Sequence, residues 1–236
     1  MNLGECYGPA MAKLVRGDLA SFIDHTALDP TLGGERIDRL CDEVAEFGFA
    51  SACIASRWVA RAHKRLGNQG RVCSVVGFPH GDSSWRAKVA ETRQAVSEGA
   101  VEIDMVVAFG ALIHGEDDAV FREIEAVVRA AEGAVVKVIL ETARLTHPQL
   151  LRGCQLTKDA GAGFVKTSTG FGPGGATVEV VAAMRAAVGP EMGVKASGGV
   201  RSAADADAMI LAGATRLGAS SGVIIVSGGT TDGSYG

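Results

Sequence analysis

Aromatic residues are scarce in this 236-residue chain: eight Phe, two Tyr and two Trp, scattered along its length. Together with a net charge of -4 and no basic stripe, this leaves neither the electrostatic footprint nor the stacking platform of a nucleic-acid binder. No apolar run approaches the ~18 residues a membrane helix needs, and no apolar signal-peptide segment stands at the N-terminus. Cysteine is sparse and odd in number (Cys6, Cys41, Cys53, Cys73 and Cys154), with no C-x-x-C pair. That usage fits reduced thiols in a cytoplasm, and Cys53 reads as a small core residue. The five histidines show no ligand spacing and there is no HExxH, so no metal is expected; G-x-S-x-G is also missing. The expectation is a cytoplasmic globular protein whose partner is a small molecule, not nucleic acid or a membrane.

Glycine is what the chain has in excess: 32, where average usage of about 7% gives roughly 17. Many of these glycines recur in one context, Gly-Ala followed by an apolar run: Gly99-Ala100 before EIDMVV, Gly133-Ala134 before VKVIL, Gly161-Ala162 before FVKTS and Gly213-Ala214 before RLGAS. A unit of roughly 25–35 residues repeats, each with a helical pattern ending in glycine and then a short apolar strand. Helix starts are marked at Ser202 with Asp205, at Thr146 with Pro148 and at Thr177 with Glu179.

Eight strands are predicted near 20–25, 49–54, 72–77, 101–107, 134–140, 163–168, 192–197 and 215–219. Helices are predicted near 34–47, 57–66, 84–98, 117–131, 147–160, 177–188 and 202–212. Strands apolar on both faces suit a buried parallel sheet, and eight units in this length match a (β/α)8 TIM barrel, for which ~250 residues is typical. A doubly wound open sheet is the alternative. No linker divides the chain, so 1–236 reads as a single domain with an N-terminal extension over 1–18 and a mobile Gly-rich tail over 227–236.

Only seven lysines stand against sixteen arginines, yet Lys137, Lys166 and Lys195 lie inside or at the end of apolar strands. Arginine stays protonated in proteins, whereas a lysine can lose its proton and attack a carbonyl. At a reference pKa near 10.4 only about one lysine in 2,500 is neutral at pH 7, and bringing the value to ~7 costs about 4.6 kcal/mol. A second ammonium ~7 Å away supplies roughly 2.4 kcal/mol of this at an effective dielectric of ~20, and burial must supply the rest. Two lysines near consecutive strand ends of a barrel are thus a way to make a Schiff-base nucleophile. The alternative is that each is a paired structural cation.

Asp104 lies mid-strand among apolar residues, where an unpartnered carboxylate is expensive. It either salt-bridges a strand lysine or moves protons beside one, and the two roles are compatible. Asp24-His25 and Glu141-Thr142 are weaker forms of the same signal, with His25 read as a structural hydrogen-bonding residue. Gly-rich turns follow the sixth, seventh and eighth strand positions: Thr169 to Gly175, Ser197-Gly198-Gly199, and Ala219 to Gly222. Bare N–H groups in such turns favour an anion, and loops after strands seven and eight are a common phosphate site in barrels.

The segments FIDHTAL, VVGFPHG, EIDMVV, KVILET, FVKTSTGF, GVKASGGVR and LGASSG, from Phe22 to Gly222, resemble the deoxyribose-phosphate aldolase family, class I aldolases on a (β/α)8 barrel. The pair FVKTSTGF and GVKASGGVR is the specific part. The resemblance implies a lyase that reversibly cleaves 2-deoxy-D-ribose 5-phosphate to D-glyceraldehyde 3-phosphate and acetaldehyde, without metal or organic cofactor. It implies Lys166 as the Schiff-base lysine, Lys195 as the neighbouring cation that activates it, and Asp104 as the proton-transfer group. Gly170, Gly198, Gly199, Ser220 and Ser221 would hold the phosphate, and Lys137 would support the site. A homodimer or homotetramer is common among relatives. Departures are Ala55-Ser56 where the family commonly has Asn-Pro or Tyr-Pro, His80 at a usually apolar loop position, and a penultimate Tyr235. Another Schiff-base aldolase of a phosphorylated sugar or keto acid, or a barrel that binds phosphometabolites without catalysis, are the other readings.

Overall fold

The computed structural model of the protein describes residues 19–231. Eight parallel strands close into a barrel in sequence order: β1 (Ile23–Ala27), β2 (Ser51–Ala55), β3 (Val72–Val76), β4 (Glu102–Val106), β5 (Val135–Ile139), β6 (Phe164–Lys166), β7 (Gly193–Ser197) and β8 (Arg216–Ala219). The last strand pairs with the first through Ile23–Leu217, Asp24–Gly218 and His25–Ala219, so no sheet edge remains. The open-sheet alternative is excluded by that closure.

Seven helices fall where the pattern predicts them: α1 (Gly34–Phe47), α2 (Val59–Leu66), α3 (Trp85–Ser97), α5 (Asp117–Ala130), α6 (His147–Asp159), α7 (Val178–Val188) and α8 (Ala203–Leu211). Two short ones, α4 (Phe109–His114) and α9 (Gly222–Val226), were not predicted. In α1 the buried residues Ile37, Leu40, Cys41 and Val44 form one stripe against the barrel, and Gly48 ends the helix in the left-handed conformation. Thr146 and Gln149 form the capping box of α6. Ser202 accepts from the Asp205 N–H at 3.1 Å, but Asp205 reaches the Arg201 N–H rather than that of Ser202.

Glycine is required at the base of the barrel. At Gly99 φ is +108°, and a Cβ there would stand 2.4 Å from the His63 ring. At the far end, β6 stops earlier than predicted, directly after Lys166. The Thr167 hydroxyl takes over the pairing, donating to the Ser197 carbonyl and accepting from the Ser197 N–H, both at 3.0 Å.

Residues 1–18 and 232–236, including Tyr235, lie outside the described residues. The segment expected to be a mobile tail begins with an antiparallel bridge between Thr230 and Ser202. Among the described residues no helix is long and apolar enough to cross a membrane.

Candidate active site

Alternation along the strands sends Asp24, Cys53, Cys73, Glu102, Asp104, Lys137 and Lys195 into the barrel interior, with Lys166 at the last position of β6. The register sets Lys166 beside Lys195 and Asp104 beside Lys137. Asp104 is fully buried and all three lysines converge on it. Its Oδ2 accepts from Lys166 at 2.6 Å and from Lys195 at 2.7 Å, and its Oδ1 accepts from Lys137 at 2.8 Å. Burial alone would raise the Asp104 pKa, but the ammonium groups of Lys137, Lys166 and Lys195 outweigh it and hold the carboxyl well below the ordinary range. Of the two roles weighed for Asp104 from sequence, the geometry contains the salt bridge, to three lysines at once.

The second carboxylate, Asp24, is a stronger participant than its sequence signal. It accepts from Lys195 at 2.5 Å, from Arg216 at 2.6 Å and from the Ser51 hydroxyl at 2.7 Å. Lys195 is thus held between Asp104 and Asp24. Burial pushes its pKa down, yet the two carboxylates more than reverse this and fix it as a cation. Lys137 lies deeper, paired with Glu102 at 2.6 Å and 3.5 Å from Asp24. It also donates to Asp104, on the side away from Lys166 and Lys195.

Lysine alone signals the upper part of this cluster. Its lower part, Glu102 with Arg216 at 3.1 Å, sits at strand starts where charge ordinarily meets solvent, and only barrel closure brings it inside. Cys53, read from sequence as a small core residue, and Cys73, given no role there, face Asp104 at 4.0 and 3.2 Å. Two donor sets have all their ligand atoms within 4.8 Å of one another: Cys53, Cys73 and Asp104, and Asp24, Cys73 and Glu102. The carboxylates of both sets are already engaged by Lys137, Lys195, Lys166 or Arg216. His25 is turned outward and bonds Glu43 at 2.7 Å, as a structural histidine does.

Around the mouth, the glycine-rich loops emerge side by side from β6, β7 and β8. Gly170, Gly198 and Gly199 all have positive φ, and the Cα of Gly170 is 3.8 Å from where a Gly198 Cβ would be. Gly175 packs so tightly on Gly198 that a Cβ there would lie 2.3 Å from the Gly198 carbonyl oxygen, while Gly199 faces open space. Ser220 follows β8 and Ser221 precedes α9, and both are partly exposed. The loop after β6 is tethered by Glu141, a non-glycine residue at φ +54°. Its carboxylate accepts from the Thr169 hydroxyl at 2.5 Å, and that hydroxyl in turn accepts from the Phe171 N–H at 3.0 Å. Phe171 crosses the mouth to meet Phe78 edge-on, ring centroids 5.3 Å apart. Beside them, at the ends of β1, β2 and β3, a cavity of about 330 Å³ is lined by Leu28, Ala55, Val75, Phe78 and Phe171 among others.

A closed (β/α)8 barrel with a lysine–carboxylate cluster under a glycine-rich mouth is the framework of a barrel enzyme whose chemistry sits at the C-terminal ends of the strands. The DeoC/LacD family aldolase profile matches residues 19–228, and the chain belongs to that family. It is 51% identical over 223 residues to the deoxyribose-phosphate aldolase of Geobacillus sp. strain WCH70, covering 94% of this chain and all of that one. It is 54% identical over 213 residues to that of a Thermoanaerobacter species (strain X514), covering 89% and 96%. Among solved structures, the tetrameric deoxyribose phosphate aldolase from Aeropyrum pernix superposes with a TM-score of 0.83 at 36% identity, covering 90% of this chain and 91% of that one.

Proposed function

We propose that this chain is a lyase that reversibly cleaves 2-deoxy-D-ribose 5-phosphate to D-glyceraldehyde 3-phosphate and acetaldehyde through a Schiff base on Lys166. The observation that carries the reading is the asymmetry of the two upper lysines. Lys195 is wholly buried between two carboxylates, whereas Lys166 has one carboxylate partner and a side chain 4% exposed at the mouth. Lys166 is the amine a substrate can reach. The names of the curated relatives support the substrate.

At rest Lys166 is paired with Asp104, and Asp104 takes up its proton as the carbonyl arrives. The neutral amine then adds to the aldehyde of the open-chain sugar, and Asp104 returns the proton to the carbinolamine hydroxyl as it leaves as water, giving a protonated imine and a carboxylate again. That cation withdraws the electrons of the C2–C3 bond while the C3 hydroxyl proton leaves to Asp104, with a water as relay. D-Glyceraldehyde 3-phosphate departs, the enamine is protonated at its terminal carbon, and hydrolysis frees acetaldehyde and the amine. Lys195, fixed as a cation, keeps positive charge beside the imine and so favours the neutral amine before attack. The N–H groups around Gly170, Gly198 and Gly199, with Ser220 and Ser221, take the phosphate.

We assign all of 1–236 to this one barrel domain and place the protein in the cytoplasm, where its thiols stay reduced. Self-association as a homodimer or homotetramer is supported by the tetramer described for the Aeropyrum pernix enzyme; light scattering on the purified protein tests it, a monomer being the contrary result. For the reaction, borohydride is added in the presence of acetaldehyde and the peptides are mapped by mass. The adduct is expected on Lys166, and its absence from every lysine overturns the mechanism. Lys166→Arg retains the charge without the nucleophile. It is expected to keep the wild-type circular dichroism and lose ~10³-fold or more of its turnover. Turnover of a keto-acid phosphate in place of deoxyribose 5-phosphate would assign a different aldolase substrate.

A further inference from the structure

Two cysteines stand in the barrel interior with no part in the reaction above. Cys53 on β2 and Cys73 on β3 are register partners on adjacent strands, and their sulfurs lie within 4.8 Å of each other and of an Asp104 oxygen. Neighbouring strands are ~4.8 Å apart, which falls inside the Cα window of ~4.4–6.8 Å that a disulfide requires. Both side chains point to the concave side of the sheet, where barrel curvature brings them together. Cys41 and Cys154 differ: each is buried on a helix, in α1 and α6 respectively.

We propose that Cys53 and Cys73 form a hydroperoxide-reactive dithiol, in which Cys53 is oxidised first and Cys73 closes an intrachain disulfide across β2 and β3 that withdraws a donor from Asp104. In the first step the Cys53 thiolate attacks one peroxide oxygen. The S–O bond forms as the O–O bond breaks, and the departing hydroxide takes a proton to become water. In the second step the Cys73 sulfur attacks the sulfenic sulfur. The S–S bond forms as the S–O bond breaks, and the Cys73 proton leaves with the hydroxide as a second water. Two thiols lose two electrons and the peroxide gains them.

The surroundings assign the order. A hydrogen bond with Cys73 and the charge of Lys195 bring the Cys53 thiol down to about 7 against the opposing effect of burial. Burial and the Asp104 charge push Cys73 well up. Among the described residues, the interior cations Lys137, Lys166, Lys195 and Arg216 face the carboxylates of Asp24, Glu102 and Asp104, and Glu102 also meets the exposed Arg71, so a thiolate at Cys53 offsets the excess of positive charge. Burial, with Asp38 and Asp42 outweighing Arg65 and Arg61, pushes Cys41 up to about 11, and burial alone pushes Cys154 up to about 12. Access follows the cavity at the mouth: Leu28, Val75 and Phe78, which line it, belong to the same packed cluster as the two cysteines. Peroxide is smaller than the sugar that has to reach Lys166. The consequence reaches Asp104, because the one Cys73 proton, shared between the Cys53 sulfur and the Asp104 Oδ1 at 3.2 Å, is gone once the disulfide forms.

The test treats the protein, carrying Cys6→Ser to remove the remaining thiol, with hydrogen peroxide and maps non-reduced peptides by mass. A Cys53–Cys73 linked pair is expected, with Cys41 and Cys154 still open to alkylation after unfolding. In Cys73→Ala, dimedone is expected to label Cys53. Turnover of deoxyribose 5-phosphate on the same samples is expected to fall in step with the linked fraction and to return with dithiothreitol. Oxidation of Cys53 and Cys73 no faster than of Cys41 and Cys154, or dimedone on Cys73 of the wild-type sequence instead of Cys53, overturns the dithiol. Full linkage with undiminished turnover overturns its connection to Asp104. If the reduced protein itself has no turnover, the proposed reaction fails while the peptide map still decides the dithiol.

Discussion

Lys166 and Lys195, register partners on β6 and β7, donate to one and the same carboxylate oxygen, Oδ2 of Asp104. One oxygen holding two ammonium groups brings the lysines closer than the ~7 Å used to weigh their repulsion from sequence. The shared carboxylate also makes them unequal, because Asp24 adds a second anion to Lys195 alone. Identical side chains on neighbouring strands thereby become a cation held by two carboxylates and one held by a single carboxylate.

The first prediction concerns the doubly held cation. Lys195→Leu removes the cation held between Asp104 and Asp24 and leaves both carboxylates short of a partner. Turnover of deoxyribose 5-phosphate is expected to fall ~10²-fold or more, the loss typical of one preorganised charged donor. Steady-state kinetics measures it, and an unchanged kcat contradicts the role given to Lys195.

Asp24 links the cluster to acid stability. Burial would raise its carboxyl, but Lys137, Lys195 and Arg216 hold it far below the ordinary range. A depressed folded value contributes stability that is complete above the unfolded pKa near 3.9 and is lost as pH falls through the folded value. Asp24→Asn leaves buried cations short of a partner and is expected to cost about 3–5 kcal/mol at pH 7. The gap to wild type should narrow by ~1 kcal/mol by pH 3. Urea unfolding at pH 7, 5 and 3 checks this, and a constant gap refutes it.

Lys88 carries a third prediction. This buried lysine of α3 donates to the Gly81 and Val106 carbonyls, each at 2.8 Å, and to Glu123 of α5 at 2.6 Å. Lys88→Met leaves Glu123 unpaired and is expected to cost about 3–5 kcal/mol. Adding Glu123→Met should recover part of that loss, a coupling that denaturant unfolding of both single variants and the double variant reads directly. Additive losses would show that the pair is not coupled.

Glu141 holds the loop after β6 through Thr169. Glu141→Ala is expected to raise KM for deoxyribose 5-phosphate about tenfold, the equivalent of one hydrogen bond of ~1.4 kcal/mol, while kcat changes less. Steady-state kinetics decides between this and a fall in kcat at constant KM, which would place Glu141 in the chemistry instead.

The upper half of the site is legible in the sequence because charge inside an apolar strand has few explanations: Lys137, Lys166, Lys195 and Asp104 each stand out against valine and isoleucine neighbours. Glu102 and Arg216 do not, since a charged residue at a strand start is ordinary until the barrel closes over it. Cys53 and Cys73 are hidden for a different reason. Cysteine resembles any small apolar residue, and the register that pairs the two depends on how strands separated by a helix align. Lys88 lies on a helix among Arg86, Glu91 and Arg93, where nothing local marks it as the lysine that points inward. The unpredicted helices α4 and α9 span six and five residues, too few for a helical period to emerge.

The ion pair between Asp24 of β1 and Arg216 of β8 lies across the seam where the barrel closes. Its partners are 192 positions apart in the chain. Until β8 docks, Asp24 and Glu102 both lack the one guanidinium they share, that of Arg216, so a partly built barrel carries carboxylate charge that the finished one neutralises. An oily interior would reward each strand as it arrives. An ionic one withholds much of its reward until the last strand is in place, making closure an all-or-none event and leaving truncated chains little to gain from folding.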